Sequence, residues 1–151
     1  MSKTCIIISG PTAVGKTDIA HSLALEYRTE IISADSRQCY KELDIGVAKP
    51  SLEQLNTVPH HFISSHSVNE AVNAAVFEAY ALQKAKDIFE NHDFLIMVGG
   101  TGLYIKTFCE GIDEVPVVVP GIRDELVHQY ETNGLVWLQA TLLEEDPAWY
   151  Q

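Results

Sequence analysis

From its first residues the chain alternates short apolar runs with segments whose apolar positions recur every three or four residues. Thr4 to Ser9 (Thr-Cys-Ile-Ile-Ile-Ser) is a continuous β-branched run, the pattern of a strand buried in a parallel sheet. Thr17 to Tyr27 sets Ile19, Ala20, Leu23 and Ala24 at helical spacing, and Glu30 to Ala34 reads as a second strand ending at Asp35. Ser36 to Lys49 is irregular, with room for one helical turn, and Pro50 closes it. A short helix is expected from Ser51, its cap, to Val58. Pro59 then leads into His60-His61-Phe62-Ile63, a third strand. The longest helix is expected to start near Ser67 or Asn69 and to run to about Asn91, burying Val72, Ala75, Val76, Ala79, Leu82 and Phe89. Phe94 to Val98 is the next strand; Gly99-Gly100-Thr101-Gly102 follows, and Leu103 to Cys109 starts another helix. Such alternation predicts an α/β fold, a parallel sheet with helices on both faces.

After Gly111 the pattern changes. Asp113 to Pro120 reads as a linker with two prolines and three consecutive valines. Two helical stretches follow, Ile122 to Glu131 and Leu135 to Leu143, separated by Asn133-Gly134. A boundary is expected near Glu114, giving an α/β core over 1–114 and the start of a helical region over 115–151. The last residues, Asp146 to Gln151, add no closing element, so the chain is expected to stop within that region.

Composition narrows the picture only modestly. A chain of 151 residues holds one sizeable core, and 46% hydrophobic with 21% charged residues is ordinary for a folded protein. No apolar run approaches the roughly 20 residues of a membrane span. Cys5 to Ile8 is too short for a signal peptide, which points to the cytoplasm. Three scattered cysteines, Cys5, Cys39 and Cys109, suit a reducing compartment and form no zinc motif. The net charge of −11 argues against a generic nucleic-acid binder, so a polyanionic partner would have to meet a local basic surface.

The chemistry starts at Gly10-Pro11-Thr12-Ala13-Val14-Gly15-Lys16-Thr17, a G-x-x-x-x-G-K-[ST] loop between a strand and a helix. Glycines let successive N–H groups point at phosphate oxygens, and the helix N-terminus adds partial positive charge. Lys16 is placed to reach the outer phosphate and Thr17 to hold Mg²⁺ through its hydroxyl. A chance glycine-rich turn is the plain alternative. ATP-driven switches and motors set a magnesium-binding aspartate after an apolar strand. Here the Phe94 to Val98 strand runs into Gly99-Gly100-Thr101-Gly102 without an acid, and the nearest acid at that end of the sheet is Asp35. This favours group transfer to an acceptor over coupled ATP hydrolysis.

Four segments together resemble the tRNA dimethylallyltransferases, also called tRNA isopentenyltransferases. They are the loop at 10–17, Ser-Ala-Asp-Ser-Arg-Gln-Cys-Tyr at 33–40, Leu-Asp-Ile-Gly-Val-Ala-Lys-Pro at 43–50 and Gly-Gly-Thr-Gly-Leu-Tyr-Ile at 99–105. His60-His61 and the stretch from Pro116 through Arg123 to Leu126 also fit, so the resemblance runs along the whole chain. Val14 and Val47 stand where the family more often has small or hydroxylic residues, and family members are considerably longer.

The resemblance implies a P-loop NTPase-like parallel sheet flanked by helices, with the start of a helical insertion domain. It implies transfer of a dimethylallyl group from dimethylallyl diphosphate to N6 of the adenosine 3′ of the anticodon in tRNA, with Mg²⁺ as cofactor and a monomeric enzyme. Asp35, Lys16 and Thr101 are then the expected catalytic residues, and Asp35, Ser36, Arg37, Gln38, Thr101 and Arg123 meet the tRNA. The residues themselves leave alternatives open. Asp35 can cap the next turn, Thr101 can cap the helix after it, and Arg123 can be a plain surface charge. Tyr27, Tyr40, Phe77 and Tyr80 suit packing in the core or beside the site. A P-loop kinase, an isopentenyltransferase of free adenine nucleotides and a non-catalytic binding module are the other readings.

Overall fold

The computed structural model describes residues 2–113 and 118–150 and divides the chain into two compact units, Met1–Ile112 and Asp113–Gln151. The boundary expected near Glu114, and Pro116, lie outside the described residues.

In the first unit four strands form one parallel sheet in the order β1-β4-β2-β3. They are β1 (Thr4–Ser9), β2 (Ile31–Ser33), β3 (His60–His61) and β4 (Phe94–Gly99). Side chains alternate between the two faces of a strand, and the core alternates with them. Ile31, Ile96 and Val98 pack with Ala20 and Ala24 of α1 (Lys16–Tyr27). Ile32, Leu95 and Met97 face the other way, onto α3 (Ala74–Asn91) and α4 (Gly102–Glu110). Strands β2 and β4 are therefore buried on both sides, which is why they read as unbroken apolar runs.

The third strand is shorter than the sequence predicts. Phe62 has φ 61° and Ser64 φ 46°, left-handed values that end the extended run after His61. The turn drops Phe62, 1% exposed, into an aromatic cluster. Its ring centroid lies 5.1 Å from those of Phe77 and Tyr80, and Phe77 stacks on Tyr104 at 4.4 Å. Ser51 caps α2 (Leu52–Thr57) as expected, in a capping box with Gln54.

Helix α3 departs from expectation at both its start and its buried face. It begins at Ala74, with the Asn73 side chain accepting from the Val76 amide, not at Ser67 or Asn69. Ser67 is held elsewhere: its hydroxyl and the Val68 amide both donate to the Glu42 carboxylate, at 2.7 and 3.1 Å. The buried stripe is Phe77, Ala81, Ala85 and Ile88, whereas Leu82 is exposed. The aromatic cluster selects Phe77, and that choice rotates the whole helix.

The second unit carries α5 (Ile122–Glu145) and α6 (Pro147–Tyr150). The break expected at Asn133-Gly134 is present as a kink inside α5, where Gly134 takes φ 74° and ψ −174°. No residue of either helix is buried.

Candidate active site

All four strands point their C-terminal ends the same way, and the turns that follow β1, β2 and β4 build the site. Open parallel sheets bind ligands at this end. After β1 the chain turns through Gly10 (φ 146°), Ala13 (φ 64°) and Gly15 (φ 86°). Gly15 is the N-cap of α1 and offers no side-chain cap, so the first amides of α1 have no side-chain acceptor. That is the arrangement in which a helix start receives an anion. Lys16 folds over the loop, and its Nζ donates to the Pro11 carbonyl oxygen.

After β2 comes Asp35. Its Oδ1 accepts from the backbone amides of Arg37 (2.9 Å) and Gln38 (3.3 Å), so the carboxylate does cap the following turn. One oxygen is held by the turn, and the other, Oδ2, has no hydrogen-bond partner among the described residues.

After β4, Gly99 lies against Ala34: a Cβ on Gly99 would overlap the Ala34 backbone. The Ala34 amide donates to Val98 O at 2.7 Å, and the Thr101 amide to Ala34 O at 3.1 Å. Thr101 is the N-cap residue of α4, but its side chain makes no capping bond. Its Oγ1 accepts from the Ser36 amide at 3.0 Å instead, tying the β4 turn to the residue beside Asp35. Its own hydroxyl hydrogen remains available for a ligand.

These turns enclose a cavity of about 390 Å³. Thr12, Ala13 and Gly15 to Asp18 form one side of it, Asp35 and Gln38 another, and Ala48, Pro50, Ile63 and Val98 an apolar wall. A second cavity of about 330 Å³ shares Thr12, Asp35 and Ala48 with the first and is also lined by Arg37. The apolar wall is what the sequence reading missed. Leu43 to Pro50 stands out as a motif, yet nothing in its residue types shows that Ala48 and Pro50 turn inward.

The two adjacent histidines differ: His60 lines the same cavity, whereas His61 is not among its lining residues. His61 pairs through Nε2 with the Glu30 carboxylate, whereas His60 Nδ1 donates to Val58 O at 2.8 Å and its ring stacks on His21. The two rings of the His60-His61 pair thus have separate partners. Burial, then the neighbouring His21 and His61, hold the His60 imidazole below its usual range, so it is neutral at pH 7. Burial likewise raises the Cys39 thiol, which keeps that group protonated under the Asp35 turn. Arg123 is exposed on α5 in the other unit.

No cluster of three His, Cys, Asp or Glu side chains that would cage a metal occurs among the described residues. The donors that are present, the Thr17 hydroxyl beside a phosphate cradle, suit Mg²⁺, which binds through one or two protein oxygens together with substrate phosphates.

The sequence profile of the IPP transferase family matches residues 38–151. The chain belongs to that family. Among IPP transferase relatives, it is 44% identical over 149 residues to the tRNA dimethylallyltransferase of Flavobacterium johnsoniae, covering 99% of this chain and 48% of that protein. To the tRNA dimethylallyltransferase of Christiangramia forsetii it is 46% identical over 151 residues, covering 100% of this chain and 50% of the relative. The crystal structure of the full-length tRNA isopentenylpyrophosphate transferase from Bacillus halodurans matches with 33% identity and a TM-score of 0.72, covering 99% of this chain and half of the other. A eukaryotic dimethylallyltransferase acting on tRNA matches with 27% identity and a TM-score of 0.78, over 99% of this chain and 37% of that one. The chain thus spans about half the length of the curated relatives it matches. It shares with the solved IPP transferases a P-loop-type parallel α/β sheet flanked by helices.

Proposed function

We propose that this chain binds the allylic donor and carries the proton acceptor of a tRNA prenyltransferase, which moves a dimethylallyl group from dimethylallyl diphosphate to N6 of the adenosine 3′ of the anticodon. The observation that carries the reading is the two-sided cavity. A phosphate-binding loop faces an apolar wall of Ala48, Pro50, Ile63 and Val98, and Asp35 lies on the same cavity. A polar head and a short apolar tail fit such a space; a nucleoside triphosphate uses only its first half.

In the reaction the N6 amine attacks C1 of the dimethylallyl group. A C–N bond forms, the C1–O bond breaks, and pyrophosphate leaves with the electron pair. The proton on N6 passes to Asp35 Oδ2, while Oδ1 stays fixed on the Arg37 and Gln38 amides. The open amides of α1 and Lys16 receive the charge that develops on the leaving group. The Thr17 hydroxyl would hold Mg²⁺, which would supply further neutralisation of that charge. A target adenine must leave its stack to enter a recessed cavity; Arg37 on the second cavity, and the Thr101 hydroxyl beside the Asp35 turn, would be its partners. Names of the relatives, all acting on tRNA, favour tRNA over free AMP as acceptor.

The test offers labelled dimethylallyl diphosphate and, in turn, unmodified tRNA, AMP and ATP to the whole natural polypeptide. Label is expected in tRNA alone. Label only in AMP, or ATP turnover without prenyl transfer, sinks the reading. Asp35→Ala is expected to slow transfer about 1,000-fold, the scale of a lost general base, with diphosphate affinity retained. Transfer near the wild-type rate would remove Asp35 from the proton-acceptor role.

A further inference from the structure

We propose that Gln38 is a positioning residue that limits the length of the prenyl group, by pinning Ala48 as the partition between the two cavities. The inference rests on the donor being an allylic diphosphate.

The Gln38 side chain has one possible orientation. Its Nε2 donates to the Ala48 carbonyl oxygen at 2.7 Å, and a carbonyl can only accept, so the nitrogen must face Ala48. Oε1 then faces Ser33, whose hydroxyl donates to it at 2.9 Å. Ser33 is 2% exposed on β2, and its hydrogen bond to Gln38 removes the penalty of burying the hydroxyl. The backbone of Gln38 is engaged as well: its amide reaches Asp35 Oδ1, and its carbonyl accepts from the Ser64 amide at 2.9 Å. A residue held at four points is an anchor, with little freedom to follow a base.

What it anchors is the inner end of the segment from Asp44 to Pro50. The outer end is open: Ile45 is 96% exposed, and Gly46 turns with φ 74°. Lys49 fixes the segment from the far side, donating to Tyr40 O and to Asp44. At Ala48 the Gln38 amide provides the hold. Ala48 lines the 390 Å³ cavity and also the 330 Å³ cavity beside it. With the partition fixed, a five-carbon tail ends against Ala48. With it released, the shared wall is left to Thr12 and Asp35, and a ten-carbon tail can extend past them from one space into the other.

The test measures binding of dimethylallyl and geranyl diphosphate without tRNA, and transfer of each with tRNA, in the whole natural polypeptide. Gln38→Leu removes both side-chain hydrogen bonds. Gln38→Glu keeps an acceptor for Ser33 and sets a carboxylate against the Ala48 carbonyl. Both are expected to raise the geranyl-to-dimethylallyl ratio about tenfold in affinity without tRNA, the effect of about one hydrogen bond, whereas transfer of the geranyl group gains less because its tail enters the space beside Arg37. Ser33→Ala, which deletes a single oxygen, is expected to shift the ratio about threefold in the same direction, and it decides the matter if the Gln38 variants do not fold. An unchanged ratio overturns the inference, and an unchanged ratio with weakened tRNA affinity makes Gln38 an RNA contact instead. Wild-type protein that binds neither diphosphate overturns the proposed function, and the inference falls with it.

Discussion

The turn after β1 and the turn after β4 leave adjacent strands of one sheet and lead into helices, yet their glycines do different work. Gly10 and Gly15 adopt positive φ, and a Cβ on Gly15 would touch nothing within 4 Å. There glycine is needed for its backbone conformation, which turns amides toward a ligand. Gly99 has an ordinary φ, but a Cβ would overlap the Ala34 backbone. There it is needed for space, so that two strand ends can close on each other. Two glycine-rich strings that look alike in the sequence thus build an open cradle and a closed joint.

Gly99→Ala tests the joint and carries the largest expected effect. Ala34 backbone atoms cannot step aside, so overpacking is expected to destabilise the fold by about 3 kcal/mol. That corresponds to a Tm lower by about 6–12 °C in thermal unfolding of a chain this size. A Tm within a degree of wild type would show that the joint is looser than described. Gly15→Ala tests the cradle. With open space around the new methyl, only backbone strain opposes it, about 1 kcal/mol, and Tm is expected to fall by only a few degrees. Pyrophosphate affinity, measured by calorimetry, is expected to fall more than Tm implies because the amides turn away. If Gly15→Ala destabilises the fold as much as Gly99→Ala, the contrast fails. Thr101→Val has the smallest effect. It removes the acceptor of the Ser36 amide, and transfer is expected to drop about threefold, mostly in kcat. A loss confined to stability, with kcat intact, would separate this bond from the site.

Strands β1 and β4, the phosphate loop and the break at Gly134 were all legible because each is a local pattern: β-branched runs, a fixed spacing, an Asn-Gly pair. The start of α3 was not. Ser67-Val68-Asn69-Glu70 has the spacing of a capping box, and the Ser67 amide does donate to Glu70. The Ser67 hydroxyl, however, goes to Glu42, 25 residues away, and the helix waits for Asn73. A long-range partner that the local string does not contain decided the boundary. The stripe of α3 was legible only in part, since Val72 and Phe89 do pack on the core: an alanine-rich helix offers two apolar rows, and Phe62 chose the row containing Phe77. At the site, the residue types of Asp35 and Lys16 mark them as candidates, and the fold sets both on one cavity. Ala48 and Pro50 carry no such mark, and only the fold shows that they form a wall.

The strand order β1-β4-β2 has one more consequence. The phosphate loop hangs from β1 and Asp35 from β2, with β4 between them. Neighbouring strands lie about 4.8 Å apart, so the two chemical groups are rooted roughly 10 Å from each other, across the sheet. The sheet therefore acts as a ruler. It sets how far the glycine-rich loop stands from Asp35, and with Gly99 closed on Ala34 that ruler cannot stretch at its working end.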